Sequence, residues 1–365
     1  MKRILNIVGA RPNFVKIAPF LHAAKKYRSL EMVLLHTGQH YDYNMSRIFF
    51  KDLQLPKPDI HLGIGSGSHA GQTARIMIGL EKAVAWIKPS LMVVVGDVNS
   101  TLAGALVAAK LHIPIAHIEA GVRSFDKRMP EEVNRVLTDA VSDYLFAPSR
   151  TAQANLLREG VKPGNIFVVG NIMIDALKFY YRPTDFVRRF GLTAKGYAVV
   201  TLHRPGNVDD KSVLTGIIKA LVTISRIIPI FFPVHPRTGK QLVKFKLLNE
   251  LKRAANIIIS RPLGYIDSLN AIKNSKFVMT DSGGVQEEAV TFNVPCLTLR
   301  ETTEWVETLK AGNRLAGVKP ALIIKLARNI LRGGISSLSY KSIPLWDGRA
   351  SERMMQIINR KLSRI

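Results

Sequence analysis

The chain has 365 residues, enough for two domains of roughly 150–200 residues each and too many for one typical core. Hydrophobic residues make up 47% and mean hydropathy is +0.10, but no apolar run approaches the ~18–20 residues of a membrane span, so membrane insertion is excluded from the expectations. The 52 Lys and Arg residues against 27 Asp and Glu give a net charge of +25, without a run of five or more basic residues or a zinc-finger spacing; such a field fits a small anionic ligand better than nucleic acid.

The opening MKRILNIVGA passes straight into RPNFVK without a small-residue cleavage site, which reads as a cytoplasmic protein. In the first half, short apolar runs at 4–8, 32–35, 91–95, 115–118, 144–147 and 166–169 have the character of buried parallel strands. Helical patterns at 13–27, 44–52, 70–86, 101–110, 131–141 and 149–159 alternate with them, giving a doubly wound α/β domain over 1–172. An irregular stretch at 182–196 marks the domain change. The second domain, 173–345, repeats the pattern with strands near 197–201, 230–232, 257–260, 276–280 and 296–299. A last helix within 346–365 is expected to pack back on the first domain. Cys296, the single cysteine, lies in the apolar run NVPCLTL, so neither an intrachain disulfide nor a multi-cysteine metal site can form.

Ligands of open α/β sheets bind beyond the carboxyl ends of strands, and the loops there carry the chemistry. GARPNFVK places Arg11 to form a fork on a phosphate and Lys16 on the helix that follows. GDVNST and EAGVRS put Asp97 and Glu119 at the ends of two neighbouring strands, and MPEEVNR sets Glu131 and Arg135 four apart on one helical face. In the second half, TLHRP and HPRT place His203 with Arg204 and His235 with Arg237 after strands, where they suit neutralisation of a diphosphate. The stretch KFVMTDSGGVQEE reads as a strand, a turn of Ser282, Gly283 and Gly284, and a helix start whose N–H groups suit a phosphate; Glu287 or Glu288 then reaches ribose hydroxyls. Plainer readings exist for each: Asp97 as a helix cap, Glu131 with Arg135 as a surface ion pair, and His40, His117 and His203 as core or rim histidines. What favours the functional reading is convergence, since these loops would all face one central cleft between the domains. No cluster has metal-ligand spacing, so no metal is expected.

The ordered set GARPNFVK, TGQHYD, GDVNSTLAGA, HIEAGVRS, MPEEVNRVLTD, FAPS, VVGN, TLHR, HPRT and TDSGGVQEE resembles the non-hydrolysing UDP-N-acetylglucosamine 2-epimerase family over nearly the whole chain. The resemblance implies two Rossmann-like domains in the GT-B-like arrangement, a UDP-sugar substrate, no cofactor and a homodimer. It implies inversion at C2 by anti elimination of UDP to 2-acetamidoglucal and re-addition. By the same resemblance Asp97, Glu119 and Glu131 are acid/base candidates supported by Lys16 and Arg135. Arg11, His203, Ser282, Gly283 and Gly284 hold phosphates, and Glu288 holds the ribose. Gln39 and His40 match part of a stretch that relatives use for allosteric activation, although Tyr41 and Asp42 depart from it. Trp305, in Thr303–Glu307, replaces an arginine common in the family. That TEWVE form also resembles relatives acting on UDP-2,3-diacetamido-2,3-dideoxyglucuronic acid. Ser268 stands where some members place an aromatic ring near uracil, leaving Tyr265 as the stacking candidate. A hydrolysing epimerase and a GT-B glycosyltransferase share the fold and the nucleotide turn.

Overall fold

The computed structural model describes residues 1–39, 53, 55–333 and 343–363, apart from the side chain of Arg11. The helix expected at 44–52, and His40 with it, lie outside the described residues. The chain forms two compact units, Met1–Tyr180 with Pro344–Ile365, and Tyr181–Ile343.

The first unit is built on a parallel sheet of β1 (Lys2–Val8), β2 (Leu30–His36), β3 (Ile60–His61), β4 (Leu91–Val95), β5 (Ile115–Ile118), β6 (Tyr144–Ala147) and β7 (Ile166–Val168). Their order across the sheet is 3-2-1-4-5-6-7. Every residue of β4 and β5 is buried, as expected for central strands covered on both faces. Leu5, Ile7, Met92 and Val94 pack against Ile76, Leu80, Ala103 and Val107 from the helices His69–Ile87 and Asn99–Lys110. β3 has only two residues, too short for a hydrophobic run to announce it.

The unit boundary falls later than the sequence suggests. Residues Ile172–Tyr180 form an apolar helix that packs on the helix Arg11–Ala24 and so stays with the first unit. The stretch read as irregular contains a short helix, Phe186–Arg189, whose Phe186 is anchored in the aromatic cluster of the second unit with Phe231 and Phe190. The C-terminal helix Ala350–Leu362 packs on Arg11–Ala24 and Ile172–Tyr180. Buried Asp175 accepts from Ala350 N at 3.0 Å and Ser351 N at 2.7 Å, satisfying free donors at the start of that helix.

The second unit carries β8 (Ala198–Thr201), β9 (Ile230–Pro233), β10 (Ile257–Ser260), β11 (Phe277–Thr280), β12 (Cys296–Thr298) and β13 (Asn313–Leu315), all parallel and ordered 10-9-8-11-12-13. β13 and the short helix Val306–Lys310 before it are absent from the sequence pattern, because Asn313-Arg314-Leu315 offers little hydrophobic signal. Both units are Rossmann-like, each a parallel sheet with helices between its strands. Among the described residues no helix is long and apolar enough to cross a membrane.

Candidate active site

In a doubly wound sheet a crevice opens where the strand order reverses, which in the first unit is between β1 and β4. The backbone there is tightly laced. A Cβ on Gly9 would lie 2.0 Å from Ser100 Oγ, so only glycine lets β1 run this close to the next loop. Asn13 Oδ1 accepts from the N–H groups of Gly9 and Ala10, both at 3.1 Å, and its Nδ2 donates to Val95 O at 2.9 Å. One turn beyond Asn13, Lys16 forms a nearly buried ion pair with Glu119 at the end of β5. Glu119 adopts φ +78°, a left-handed conformation that costs a non-glycine residue on the order of 1 kcal/mol and is concentrated at functional positions.

The second group centres on Asp97. Gly96 turns the chain with φ +68°, and Asp97 pairs through its carboxylate with Arg135 and through its carbonyl with Asn134 Nδ2 at 2.8 Å. Arg135 also donates to Glu132 at 2.8 Å. Glu132 in turn accepts from Ser124 N at 2.9 Å and Phe125 N at 2.7 Å, fixing the loop after β5. The four-residue spacing of Glu131 and Arg135 therefore does not make their ion pair. Arg135 turns inward to Asp97 and Glu132, and half-exposed Glu131 has no ion-pair partner among the described residues. Deeper, His117 meets Asp139 at 2.6 Å and Gly96 O at 2.8 Å, and Asp139 also contacts Gly121 N at 2.9 Å and Arg123 at 2.7 Å. Burial alone would raise the Asp139 pKa, but His117, Arg123 and the Gly121 N–H outweigh it and hold the carboxyl below its ordinary value.

Glu132, Asn134, Asp139 and Asn13 escape a reading that looks for charge at loop ends. Their available signal is periodicity: 132, 135 and 139 share one face of the helix Pro130–Val141, with Val133, Val136 and Leu137 exposed on the other. Gln39 is buried, its Oε1 accepting from Ser100 N at 3.0 Å and Ser100 Oγ at 2.7 Å, so it is tied to the start of the helix Asn99–Lys110.

In the second unit the order reverses between β8 and β11. Fully buried Asp281, just past β11, gathers the loop after β8: it accepts from His203 N at 3.0 Å, Arg204 N at 2.9 Å and Asn207 Nδ2 at 3.2 Å, and meets His203 Nδ1 at 3.0 Å. Burial opposes its ionisation, yet the His203 ring and these N–H donors hold Asp281 below the usual carboxylate range. The His203 ring lies 5.5 Å from that of His235, which begins the helix Pro236–Lys244 and accepts from Arg237 N through Nδ1 at 3.2 Å. Arg237 pairs with Asp209.

Ser282 precedes the helix Gly283–Thr291, and its N–H donates to Thr280 Oγ1 at 2.9 Å. The first N–H groups of this helix, carried by Gly283 and Gly284, have no intrahelical acceptor, which is the geometry that binds anions. Gly283 is packed from behind: a Cβ there would stand 2.8 Å from Glu304 Oε1 and 3.0 Å from Trp305 Nε1. Glu304 sits between Arg204 at 3.2 Å and Arg300 at 2.7 Å, and Trp305 is 3% exposed. Gln286 Oε1 accepts from Thr303 Oγ1 at 2.7 Å and Asn313 Nδ2 at 3.1 Å, binding this loop to the helix. Glu287 and Glu288 are buried farther along, and Tyr265 is buried at the start of its own helix, Tyr265–Asn274. Among the described residues no group of three or more His, Cys, Asp or Glu is arranged to hold a metal ion.

Residues 22–359 match the family described as UDP-N-acetylglucosamine 2-epimerase. The UDP-N-acetylglucosamine 2-epimerase of Methanocaldococcus jannaschii is 44% identical over 362 residues, covering 96% of this chain and 97% of that protein. A crystal structure of the M. jannaschii UDP-GlcNAc 2-epimerase in complex with UDP-GlcNAc and UDP superposes with a TM-score of 0.90 at 43% identity, covering 98% of this chain and 99% of that one. The UDP-2,3-diacetamido-2,3-dideoxy-D-glucuronate 2-epimerase of Pseudomonas aeruginosa is 45% identical over 335 residues, covering 90% of this chain and 92% of that protein.

Proposed function

This chain belongs to the UDP-N-acetylglucosamine 2-epimerase family, and from that premise we propose that it interconverts UDP-GlcNAc and UDP-ManNAc without a metal or other cofactor. The observation that carries the reading is the pair of strand-end charge groups in the first unit, Lys16 with Glu119 and Arg135 with Asp97, in a chain whose second unit offers an SGG helix start beside His203. The C2 proton is weakly acidic, so the reaction runs through the leaving group. A carboxylate takes the C2 proton as the C1–O bond to UDP breaks anti to it, leaving 2-acetamidoglucal. UDP then re-forms that bond while a proton is delivered to the opposite face of C2. Asp97, Glu119 and Glu131 are the proton-transferring candidates, and Lys16 and Arg135 pair with two of them and orient them. The N–H groups of Gly283 and Gly284, Ser282, His203, His235 and Arg11 take the developing charge of the diphosphate, and Glu288 takes the ribose.

A second reading is favoured by the loop around Trp305. The relative from P. aeruginosa acts on a sugar bearing a carboxylate, and Arg204 and Arg300 flank Glu304 behind Gly283. Epimerisation of a UDP-diacetamido-uronate is therefore the alternative.

The enzyme works as a homodimer in the cytoplasm in this reading. Val133, Val136 and Leu137 form an apolar stripe, each 39% or more exposed, on the helix whose inner face carries Arg135, and a second copy of the chain covers it. The catalytic assignment is tested with Asp97→Asn, Glu119→Gln and Glu131→Gln. Each should lower turnover by about 100-fold or more with UDP affinity kept, whereas Glu288→Ala should weaken UDP binding first. Normal turnover in all three carboxamide variants would refute it.

A further inference from the structure

His117 lies on β5 with no exposure, and both of its ring nitrogens face groups that can only accept. Nε2 is 2.8 Å from the carbonyl oxygen of Gly96, and Nδ1 is 2.6 Å from Asp139 Oδ1. Asp139 pairs with the Arg123 guanidinium at 2.7 Å and accepts from Gly121 N at 2.9 Å, contacts that favour its carboxylate form. Arg123 is in turn held by Glu159 at 2.8 Å. A ring with one proton would leave a lone pair aimed at a carbonyl or at a carboxylate at hydrogen-bond distance. Only the imidazolium satisfies both contacts.

The two contacts belong to the two elements that hold Asp97. Gly96 immediately precedes Asp97, and Asp139 lies one turn beyond Arg135 on the helix Pro130–Val141, whose Asn134 and Arg135 grip the Asp97 carbonyl and carboxylate. The ring thus closes a loop of contacts: Asp97 to Arg135, along the helix to Asp139, through His117 to Gly96 and back to Asp97. We propose that His117, as a buried imidazolium bridging Gly96 and Asp139, is the positioning residue that sets where the Asp97 carboxylate stands for proton transfer at C2. This rests on the assignment of Asp97 to that chemistry. If the ring loses its charge, Nε2 or Nδ1 repels its partner, the Gly96 peptide shifts, and Asp97 moves with it. A displacement of about 1 Å at a reacting group costs ~100-fold in rate.

The first arm of the test is spectroscopic. In the full-length protein labelled with ¹⁵N-histidine, a long-range ¹H–¹⁵N spectrum should show both His117 nitrogens at the shift of protonated imidazolium. The signal is assigned by its loss in His117→Gln. One nitrogen at the unprotonated shift would overturn the proposal. The second arm compares kinetics. His117→Gln and Asp139→Asn should each lower kcat by about 10–100-fold with KM for the UDP-sugar and the Kd for UDP within about threefold of wild type. Unchanged kcat, or a fall in UDP affinity matching the fall in kcat, would reduce His117 to scaffolding and overturn it. Failure of the underlying reading looks different, since Asp97→Asn would then retain activity whatever the spectrum of His117 shows.

Discussion

Replacing Asp281 by asparagine tests how the second unit holds the loop after β8, whose His203 is proposed to face the diphosphate. The carboxylate is fully buried and collects the N–H groups of His203 and Arg204, the amide of Asn207 and the His203 ring. Asparagine is the same size but keeps one acceptor oxygen and turns an NH2 toward these donors. At least two charge-assisted hydrogen bonds are lost at roughly 1.5–3 kcal/mol each, and buried donors are left facing one another, so Asp281→Asn should destabilise the protein by about 3–5 kcal/mol. Urea unfolding followed by fluorescence measures that loss, and titration calorimetry should show UDP binding weakened by about tenfold or more as His203 is released. The pH dependence gives an independent check. Asp281 titrates below its unfolded value of about 3.9, so its stabilisation is complete above that pH and disappears as pH falls through the folded pKa. The gap between wild type and variant should be constant from neutral pH to about pH 5 and narrow below about pH 4. A stability loss under about 1 kcal/mol at neutral pH, or a gap that does not narrow in acid, would refute the account of Asp281.

Gly121→Ala should lower stability by about 2–4 kcal/mol in the same unfolding assay. Its φ is +79° and the new Cβ would stand 2.3 Å from the Ala152 carbonyl oxygen, which is helix backbone that cannot yield; a loss under about 1 kcal/mol would contradict this. Burial, and secondarily the charge of neighbouring His61, lowers the His36 pKa to about 4, below an unfolded value of about 6.5. The unfolded chain therefore binds the extra proton first, and stability should decline as pH falls from about 6.5 to about 4. His36→Phe, which keeps a ring in the stack with Phe14 and His61, should make that decline shallower by roughly 2–3 kcal/mol in pH-resolved unfolding. Leu137→Glu should convert a dimer to a monomer in light scattering; a variant that remains dimeric would remove the helix Pro130–Val141 from the interface.

The alternation of strands and helices was legible because parallel strands buried on both faces, such as Leu91–Val95, are continuous apolar runs. β13 and β3 were not, being too short or too polar to stand out from loops. At the strand ends, the placement of Asp97, Glu119, Lys16 and the SGG turn follows from local pattern alone. Which charges meet does not. The spacing of Glu131 and Arg135 suggests a pair, but tertiary packing sends Arg135 to Asp97 and Glu132. Buried polar residues were the hardest to read, since Glu132 and Asp139 look like surface positions until the opposite helix face proves to carry exposed Val133 and Leu137. Trp305 shows the same limit, as the sequence marks the replaced residue while only the fold packs its indole against Gly283.

The most direct measurement is proton NMR of the purified protein in D2O with UDP-GlcNAc and no added metal, repeated with the diacetamido-glucuronate analogue. The account predicts deuterium at C2 of UDP-GlcNAc as UDP-ManNAc forms. Reaction of the uronate alone would contradict the proposed substrate, and no exchange at C2 of either sugar would contradict the epimerase chemistry itself.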